Sequence, residues 1–170
     1  MKPTIICIVG ESGTGKTTIA EYLRTYYLIP MIESYTDRPP RYDGEEGHTF
    51  ISSEEFGKLA KEDMIAYTHF GGYNYCCLKE DVKDFNVYII DESGLKYLID
   101  NFSDDYNIIK WRIYRDENIR EISEDRINRD KNMFGNFMIW YDEVIINNGN
   151  FQMLYDDVDV KISKSLEKFI

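Results

Sequence analysis

Basic residues, cysteine and long apolar runs are all scarce in this chain. Lys and Arg number 20 against 31 Asp and Glu, a formal charge of −11. That balance disfavours a nucleic-acid surface, because gripping a phosphate backbone needs basic patches. The 3 cysteines, Cys7, Cys76 and Cys77, form no C-x-x-C pair and have no histidine at ligand spacing. They read as reduced thiols, with Cys7 structural, rather than as a disulfide framework or metal site. No apolar run approaches the length of a membrane span, and the first is too short for a signal peptide. The expectation is a cytoplasmic protein with no membrane partner. No Pro/Gly/Ser linker, low-complexity tract or internal repeat divides the 170 residues, so one α/β domain with insertions is the economical reading. If so acidic a chain binds a polyanion, it must gather its few cations locally, and their positions become informative.

The apolar, β-branched run Thr4-Ile5-Ile6-Cys7-Ile8-Val9 leads into Gly10-Glu11-Ser12-Gly13-Thr14-Gly15-Lys16-Thr17-Thr18 and then Ile19-Ala20-Glu21-Tyr22-Leu23. A buried strand, a glycine turn and a helix are the context that G-x-x-x-x-G-K-[ST] requires. Glycines let the backbone approach a phosphate, and successive N–H groups then converge at the positive end of a helix dipole. The nine residues from Gly10 to Thr18 are therefore expected to cradle ATP. Lys16 would extend along its β- and γ-phosphates, and the Thr17 hydroxyl suits Mg²⁺. A glycine-rich turn that merely spells the motif is the bland alternative.

Further on, Thr36-Asp37-Arg38-Pro39-Pro40-Arg41 is stiffened by its prolines toward polyproline II, whose threefold repeat sets Arg38 and Arg41 on one side. Two guanidiniums presented this way grip a phosphate with little ordering cost; a solvated turn with unrelated arginines is the competing reading. Met31–Tyr35 reads as a short strand before this arm. Ser52 and Glu55 form a capping-box pattern, Asp63–Phe70 alternates loosely like a strand, and Lys79–Asp84 reads as a short charged helix. Asn86–Asp91 reads as a central parallel strand ending in a carboxylate, where open sheets place their sites; Asp91 is equally suited to N-cap a helix over Glu92–Asp100. Asn107–Tyr114 reads as the next strand. In the charge-dense stretch Arg115–Asp130, Arg126 and Arg129 share one helical face, although such runs are most often solvated surface. Trp140–Asn147 reads as a last strand, and Ile162, Leu166 and Phe169 mark a packing helix.

Ser34-Tyr35-Thr36-Asp37-Arg38-Pro39-Pro40-Arg41, then Gly44-Glu45 and Gly47-His48-Thr49-Phe50-Ile51-Ser52, resembles the guanylate kinase signature, and the P-loop sits where that family has it. The resemblance implies that Ser34 touches the acceptor base and that Arg38 and Arg41 hold the acceptor phosphate. His48 stands in for a tyrosine that also reaches that phosphate. Gly72-Tyr73-Asn74-Tyr75-Cys76-Cys77 resembles the family's G-N-Y-Y-G-[ST], placing Tyr75 on a phosphate-contacting tyrosine and Cys77 on a residue that contacts guanine. Ala66 falls where the family carries the glutamate that accepts from guanine, so the base reader looks altered while the phosphate grip is kept. By the same likeness Asp91 orients acceptor or Mg²⁺-bound water, Arg126 and Arg129 belong to a lid that closes on the moving phosphoryl group, and Asn147 contacts the adenine.

These readings predict an α/β P-loop NTPase fold with a parallel, doubly wound sheet. The core would comprise residues 1–33 and 86–170, an acceptor lobe about 34–85, and a short lid about 115–130. The expected partners are ATP and a nucleoside monophosphate, with Mg²⁺ as cofactor, no nucleic acid, and a monomer or homodimer. The expected reaction is phosphorylation of GMP, dGMP or another (deoxy)nucleoside monophosphate. Lys16, Arg38, Arg126 and Arg129 are the expected catalytic residues. A non-catalytic binding module for acidic or phosphorylated peptides is the main rival, and a kinase acting on a nucleoside or small alcohol is the other.

Overall fold

A computed structural model describes residues 2–167 of the chain. In chain order the elements are β1 (Thr4–Gly10), α1 (Lys16–Tyr27), β2 (Met31–Ile32), β3 (Ser34–Thr36), β4 (His48–Phe50), α2 (Ser53–Gly57), β5 (Thr68–Phe70), β6 (Tyr73–Cys76), β7 (Phe85–Ile89), α3 (Glu92–Phe102), β8 (Asn107–Tyr114), α4 (Glu124–Met133), β9 (Glu143–Ile146) and α5 (Phe151–Glu167). Short 3₁₀ turns lie at Lys61–Asp63, Lys79–Asp81 and Glu117–Ile119.

Every residue of β1 is buried, as a strand covered on both faces demands. It is the middle of a 5-stranded sheet ordered β2-β7-β1-β8-β9, and all the pairings are parallel. Because side chains alternate along a strand, β1 feeds two cores. Ile6 and Ile8 pack with Ile19, Ala20 and Leu23 of α1 and with Leu154, Val158 and Ile162 of α5. Ile5, Cys7 and Val9 face the other way, against Leu95 and Leu98 of α3. Burying each such aliphatic side chain stabilises the fold by about 1.5–3 kcal/mol, so this three-layer stack is the rigid frame of the molecule.

A second, 4-stranded sheet, β4-β3-β6-β5, is built wholly from the segment between β2 and β7. It is mixed: β3 and β4 run parallel, and β6 pairs antiparallel with β3 and β5. Its own core is small, formed by Phe56, Met64, Cys76 and Leu78, while Ile65, Ala66 and Cys77 pack down onto the α3 side of the main sheet.

Several expected elements change shape. Met31–Tyr35 is not one strand: the exposed Glu33 separates β2, which pairs with β7, from β3, which belongs to the second sheet. Asp63–Phe70 is extended only at β5, with one isolated bridge from Met64 to Leu78. Lys79–Asp84 contracts to a single 3₁₀ turn, and the last strand starts at Glu143 rather than Trp140. The capping box forms, with Glu55 N–H on the Ser52 hydroxyl at 3.1 Å and Ser52 N–H on the Glu55 carboxylate at 2.7 Å. Phe169 lies outside the described residues.

Candidate active site

The turn after β1 is organised by backbone that only glycine adopts freely. Gly13 and Gly15 have φ of 75° and 101°, and a Cβ on Gly15 would lie 2.5 Å from the Asn147 amide nitrogen. Gly15 also N-caps α1, so the helix begins with no side-chain cap and no acidic residue in its first turn. Its leading N–H groups are left for an external anion. Lys16 folds back to donate to the Glu11 carbonyl at 2.9 Å. Burial, then Arg126, Arg112 and Arg129, lower its pKa to about 8, and Asp130 opposes them.

At the carboxyl edge of the main sheet a cleft of about 350 Å³ opens toward the second sheet. Lys16 from the P-loop, Arg38 and Arg41 from the proline arm, and Arg126 and Arg129 from α4 all line it. In a chain with a net charge of −11, cations from three remote segments converge on one hollow. Arg126 has no carboxylate partner among the described residues; burial and the neighbouring Arg41 and Arg129 push its pKa down.

The two arm arginines are held differently. The Arg38 side chain, 8% exposed, lays both terminal nitrogens on Glu45, at 2.9 and 3.1 Å, and sits 5.2 Å above the Phe50 ring. Arg41, 54% exposed, meets the same carboxylate only at 3.4 Å. The Arg38 bond pulls Glu45 down to about 2. His48 and Tyr75 stand edge to face, their centroids 5.8 Å apart, and both line the cleft. Burial and the nearby Arg38 lower the His48 pKa, favouring the neutral ring. Arg38 Nε and His48 Nδ1 are sealed from solvent and have no hydrogen-bond partner among the described residues. Such unspent groups are costly unless something completes them.

Ser34, Ala66, Thr68, Tyr88 and Asp91 line the far end. The Ser34 and Tyr88 hydroxyls are hydrogen-bonded at 2.7 Å. Asp91 both lines the cleft and N-caps α3, accepting from Gly94 N–H at 2.9 Å. Burial raises its pKa, against the Gly94 and Ser93 amides that lower it.

Two sequence-based assignments are displaced. Cys77 is fully buried in the core beside Ala66 and Tyr88, its thiol directed to the Leu78 carbonyl at 3.5 Å, so the side chain is packing and does not line the cleft. Asn147 is buried and donates to the Thr14 carbonyl at 2.9 Å; its amide braces the P-loop from behind. Of the cradle residues, Gly10, Ser12 and Lys16 line the cleft. Thr14 is buried with its hydroxyl on the Glu11 carbonyl at 2.8 Å, whereas Gly13 and Thr17 are exposed and Thr18 is half-buried.

Several further residues hold the site together. Glu45 fixes Arg38, Arg120 pairs with Glu11 at 2.9 Å, and Asp130 accepts the Ser12 N–H at 2.6 Å. Arg112 is buried between the rings of Tyr114 and Phe134, 4.7 and 4.9 Å from their centroids. Its signal was available: an arginine inside an apolar strand run is almost never buried without a purpose.

The uncapped helix and the lysine fit a triphosphate. For Mg²⁺ the candidate Thr17 offers a hard oxygen, and no cluster of three or more His, Cys, Asp or Glu side chains suited to a metal exists among the described residues. The ion would therefore arrive on the phosphates and borrow the Thr17 hydroxyl, in keeping with its preference for phosphate and water oxygens.

No family model matches the chain. It is 35% identical over 80 residues to a guanylate kinase of Fusobacterium nucleatum subsp. nucleatum, covering 45% of this chain and 43% of the relative. A guanylate kinase of Streptomyces kasugaensis is 32% identical over 87 residues, 49% of this chain and 42% of its own length. These two matches span less than half of either relative. One from Clostridium acetobutylicum is 25% identical over 173 residues, 96% of this chain and 83% of the relative. The crystal structure of guanylate kinase from Anaplasma phagocytophilum superposes with a TM-score of 0.67 over 96% of this chain and 86% of that one. At 19% identity that match establishes the shared α/β fold with its parallel sheet.

Proposed function

We propose, from the premise that this chain is related in sequence and fold to the guanylate kinase family, that it transfers the γ-phosphoryl group of ATP to a nucleoside monophosphate. The observation that carries the reading is the convergence of Lys16, Arg38, Arg41, Arg126 and Arg129 on one cleft. Such a ring of cations suits two phosphorylated ligands meeting end to end.

In the reaction, the bond from the γ-phosphorus to the β-phosphate oxygen breaks, and a bond to an acceptor phosphate oxygen forms, giving two diphosphates. Little covalent help is needed, so positioning and charge neutralisation supply most of the rate. The amides at the start of α1 and Lys16 hold the donor phosphates. Arg38, pre-set by Glu45, and Arg41 align the acceptor phosphate, with His48 and Tyr75 beside them. Arg126 and Arg129 from the lid segment, about 115–130, neutralise the moving group. The attacking oxygen is already largely ionised near neutral pH, so no general base is assigned. Mg²⁺, when bound, supplies charge neutralisation on the phosphate oxygens and is held in part by Thr17.

The base would sit between Ser34 and Ala66, in a lobe of about residues 34–85, and Asp91 of the core. Ala66 offers no carboxylate to guanine, and a site lacking that acceptor loses discrimination on that edge. The acceptor is therefore GMP or another (deoxy)nucleoside monophosphate. The complete P-loop and the uncapped α1 favour an enzyme over a peptide-binding module. A coupled assay of ADP release tests the reading with a panel of ribo- and deoxymonophosphates, nucleosides and a no-acceptor control. Release with at least one monophosphate and none with nucleosides is expected. Release with nucleosides alone, or with none of the panel, would sink it.

A further inference from the structure

Ser12 is held by side chains more than a hundred residues away at each of its three polar groups. Its N–H donates to Asp130 Oδ2 at 2.6 Å, its hydroxyl accepts from Arg129 Nη2 at 2.8 Å, and its carbonyl accepts from Arg120 Nη1 at 3.2 Å. Asp130 is 2% exposed, and its other oxygen takes Arg129 Nε and Nη2 at 3.3 and 3.0 Å. The Arg129 guanidinium in turn lies 5.0 Å from the Phe70 ring of β5. One carboxylate thus joins the P-loop to α4 and fixes the guanidinium that reaches across to the second sheet.

We infer that Asp130 is a positioning residue: it clips α4 to the Ser12 amide and thereby sets Arg129 across the cleft before any nucleotide is bound. Arg129 alone would sweep many rotamers, whereas a fork already hydrogen-bonded on one side needs little ordering when the phosphates arrive. A buried carboxylate beside a phosphate site is repulsive unless it is spent on donors, and here both oxygens are spent. The inference rests on the proposed phosphoryl transfer for what Arg129 does, but the clip itself does not.

The test is a double-mutant cycle of D130N and R129A, read in monophosphate kinase activity and in hydrogen exchange of the Gly10–Gly15 and Glu124–Met133 segments. The Asn side chain keeps the size and an acceptor for Ser12 but gives up the charge that holds Arg129. D130N is expected to lower kcat about tenfold and R129A about a hundredfold, with the KM for the monophosphate unmoved. The double variant should be no slower than R129A, because Asp130 acts through that arginine. Exchange should quicken in both segments of D130N. Multiplying effects, or a D130N enzyme with wild-type kcat, would overturn the inference; a purely structural role predicts equal losses in both backgrounds. Should D130N lose its folded circular-dichroism signal, D130S, which gives up the same charge in a smaller side chain, carries the same cycle. If the wild type phosphorylates no monophosphate, the functional reading falls and exchange decides alone: faster exchange in both segments upholds the clip, and unchanged exchange overturns it.

Discussion

The two sheets are built from different materials. The main sheet is centred on β1, a fully buried strand of 7 residues, and feeds two apolar cores shared with α1, α3 and α5. The second sheet has strands of 3 or 4 residues, with β4 half-buried along its whole length. What it lacks in core it replaces with polar ties. Asp37 accepts from Asn74 N–H and Nδ2 at 2.7 and 2.8 Å, and Glu45 holds Arg38. Apolar burial is non-directional and insensitive to pH, whereas ion pairs and hydrogen bonds are directional and titratable. The proposed donor end of the cleft, at the P-loop, therefore stands on a stiff frame, and the proposed acceptor end, at the proline arm, on one that conditions and ligands are able to shift.

The largest effect should come from Lys16, the catalytic residue proposed for the frame. Lys16→Ala is expected to lower kcat/KM by about 10³-fold or more, on the scale of removing a preorganised charge from a phosphoryl-transfer site. Melting should stay within a degree or two, because the only Lys16 side-chain hydrogen bond among the described residues is to the Glu11 carbonyl. A variant that keeps its turnover would detach the P-loop from the chemistry. Next, Leu98→Ala and Met64→Ala separate the two materials. Leu98 is fully buried under the main sheet and Met64 is 6% exposed in the small core. The first should cost about 2–5 kcal/mol of global stability and the second less, as smaller clusters collapse more readily around a deletion. Equal losses in denaturant unfolding would break the contrast.

How far the sequence revealed this division follows from the same physics. β8 is legible to the residue, Asn107–Tyr114, because the β-branched and aromatic residues Ile108, Ile109, Trp111, Ile113 and Tyr114 crowd it. The second sheet is not: Met31–Tyr35 crosses from one sheet to the other at Glu33, and nothing local marks a change of partner. The same split runs through the site. The P-loop is a contiguous motif and is visible at once. The bonds of Asp130 to Ser12 and of Arg120 to Glu11 span about 110 residues of chain, and only folding brings them together. Cys77, just past β6, turns into the core with Ala66 and Tyr88, because alignment gives a residue's position in a motif while the direction of its side chain is set by the local backbone and packing.

A smaller effect, and a sharper test of the second sheet, lies in Glu45. Its side chain is 6% exposed and bonded to Arg38 and to the Arg41 N–H, which together hold its pKa near 2. The unfolded chain's carboxyl titrates near 4.3. Because the folded value is the lower one, the stabilisation is complete above about pH 4.5 and is lost as pH falls toward 2, on the order of 1–3 kcal/mol. Glu45→Gln should flatten that stretch of the stability-against-pH curve and raise the KM for the monophosphate, while the KM for ATP stays put. A variant whose acid limb overlays the wild type would show that the lobe does not depend on its ion pair.

The smallest effect expected is also the one that divides holding a fold from holding a ligand. Arg41 is more than half exposed and its guanidinium meets Glu45 only at 3.4 Å, a pair of the kind worth about 0–1 kcal/mol at most. Yet it lines the cleft and lies close enough to Arg126 to depress that arginine's pKa, a repulsion the fold tolerates with no benefit to itself. Two cations kept near each other in the open are stabilised only when an anion comes between them. Arg41→Ala should therefore leave the melting temperature unchanged and raise the KM for the monophosphate about tenfold, the loss of about 1.4 kcal/mol of binding. That penalty should shrink as salt rises, because the contact is exposed. Arg38→Ala should differ in kind, since it strands the buried Glu45 carboxylate and unsettles the lobe as well as the ligand. If Arg41→Ala instead raised the KM for ATP, the proline arm would belong to the donor, and the contrast between a stiff donor end and a yielding acceptor end would have to be redrawn.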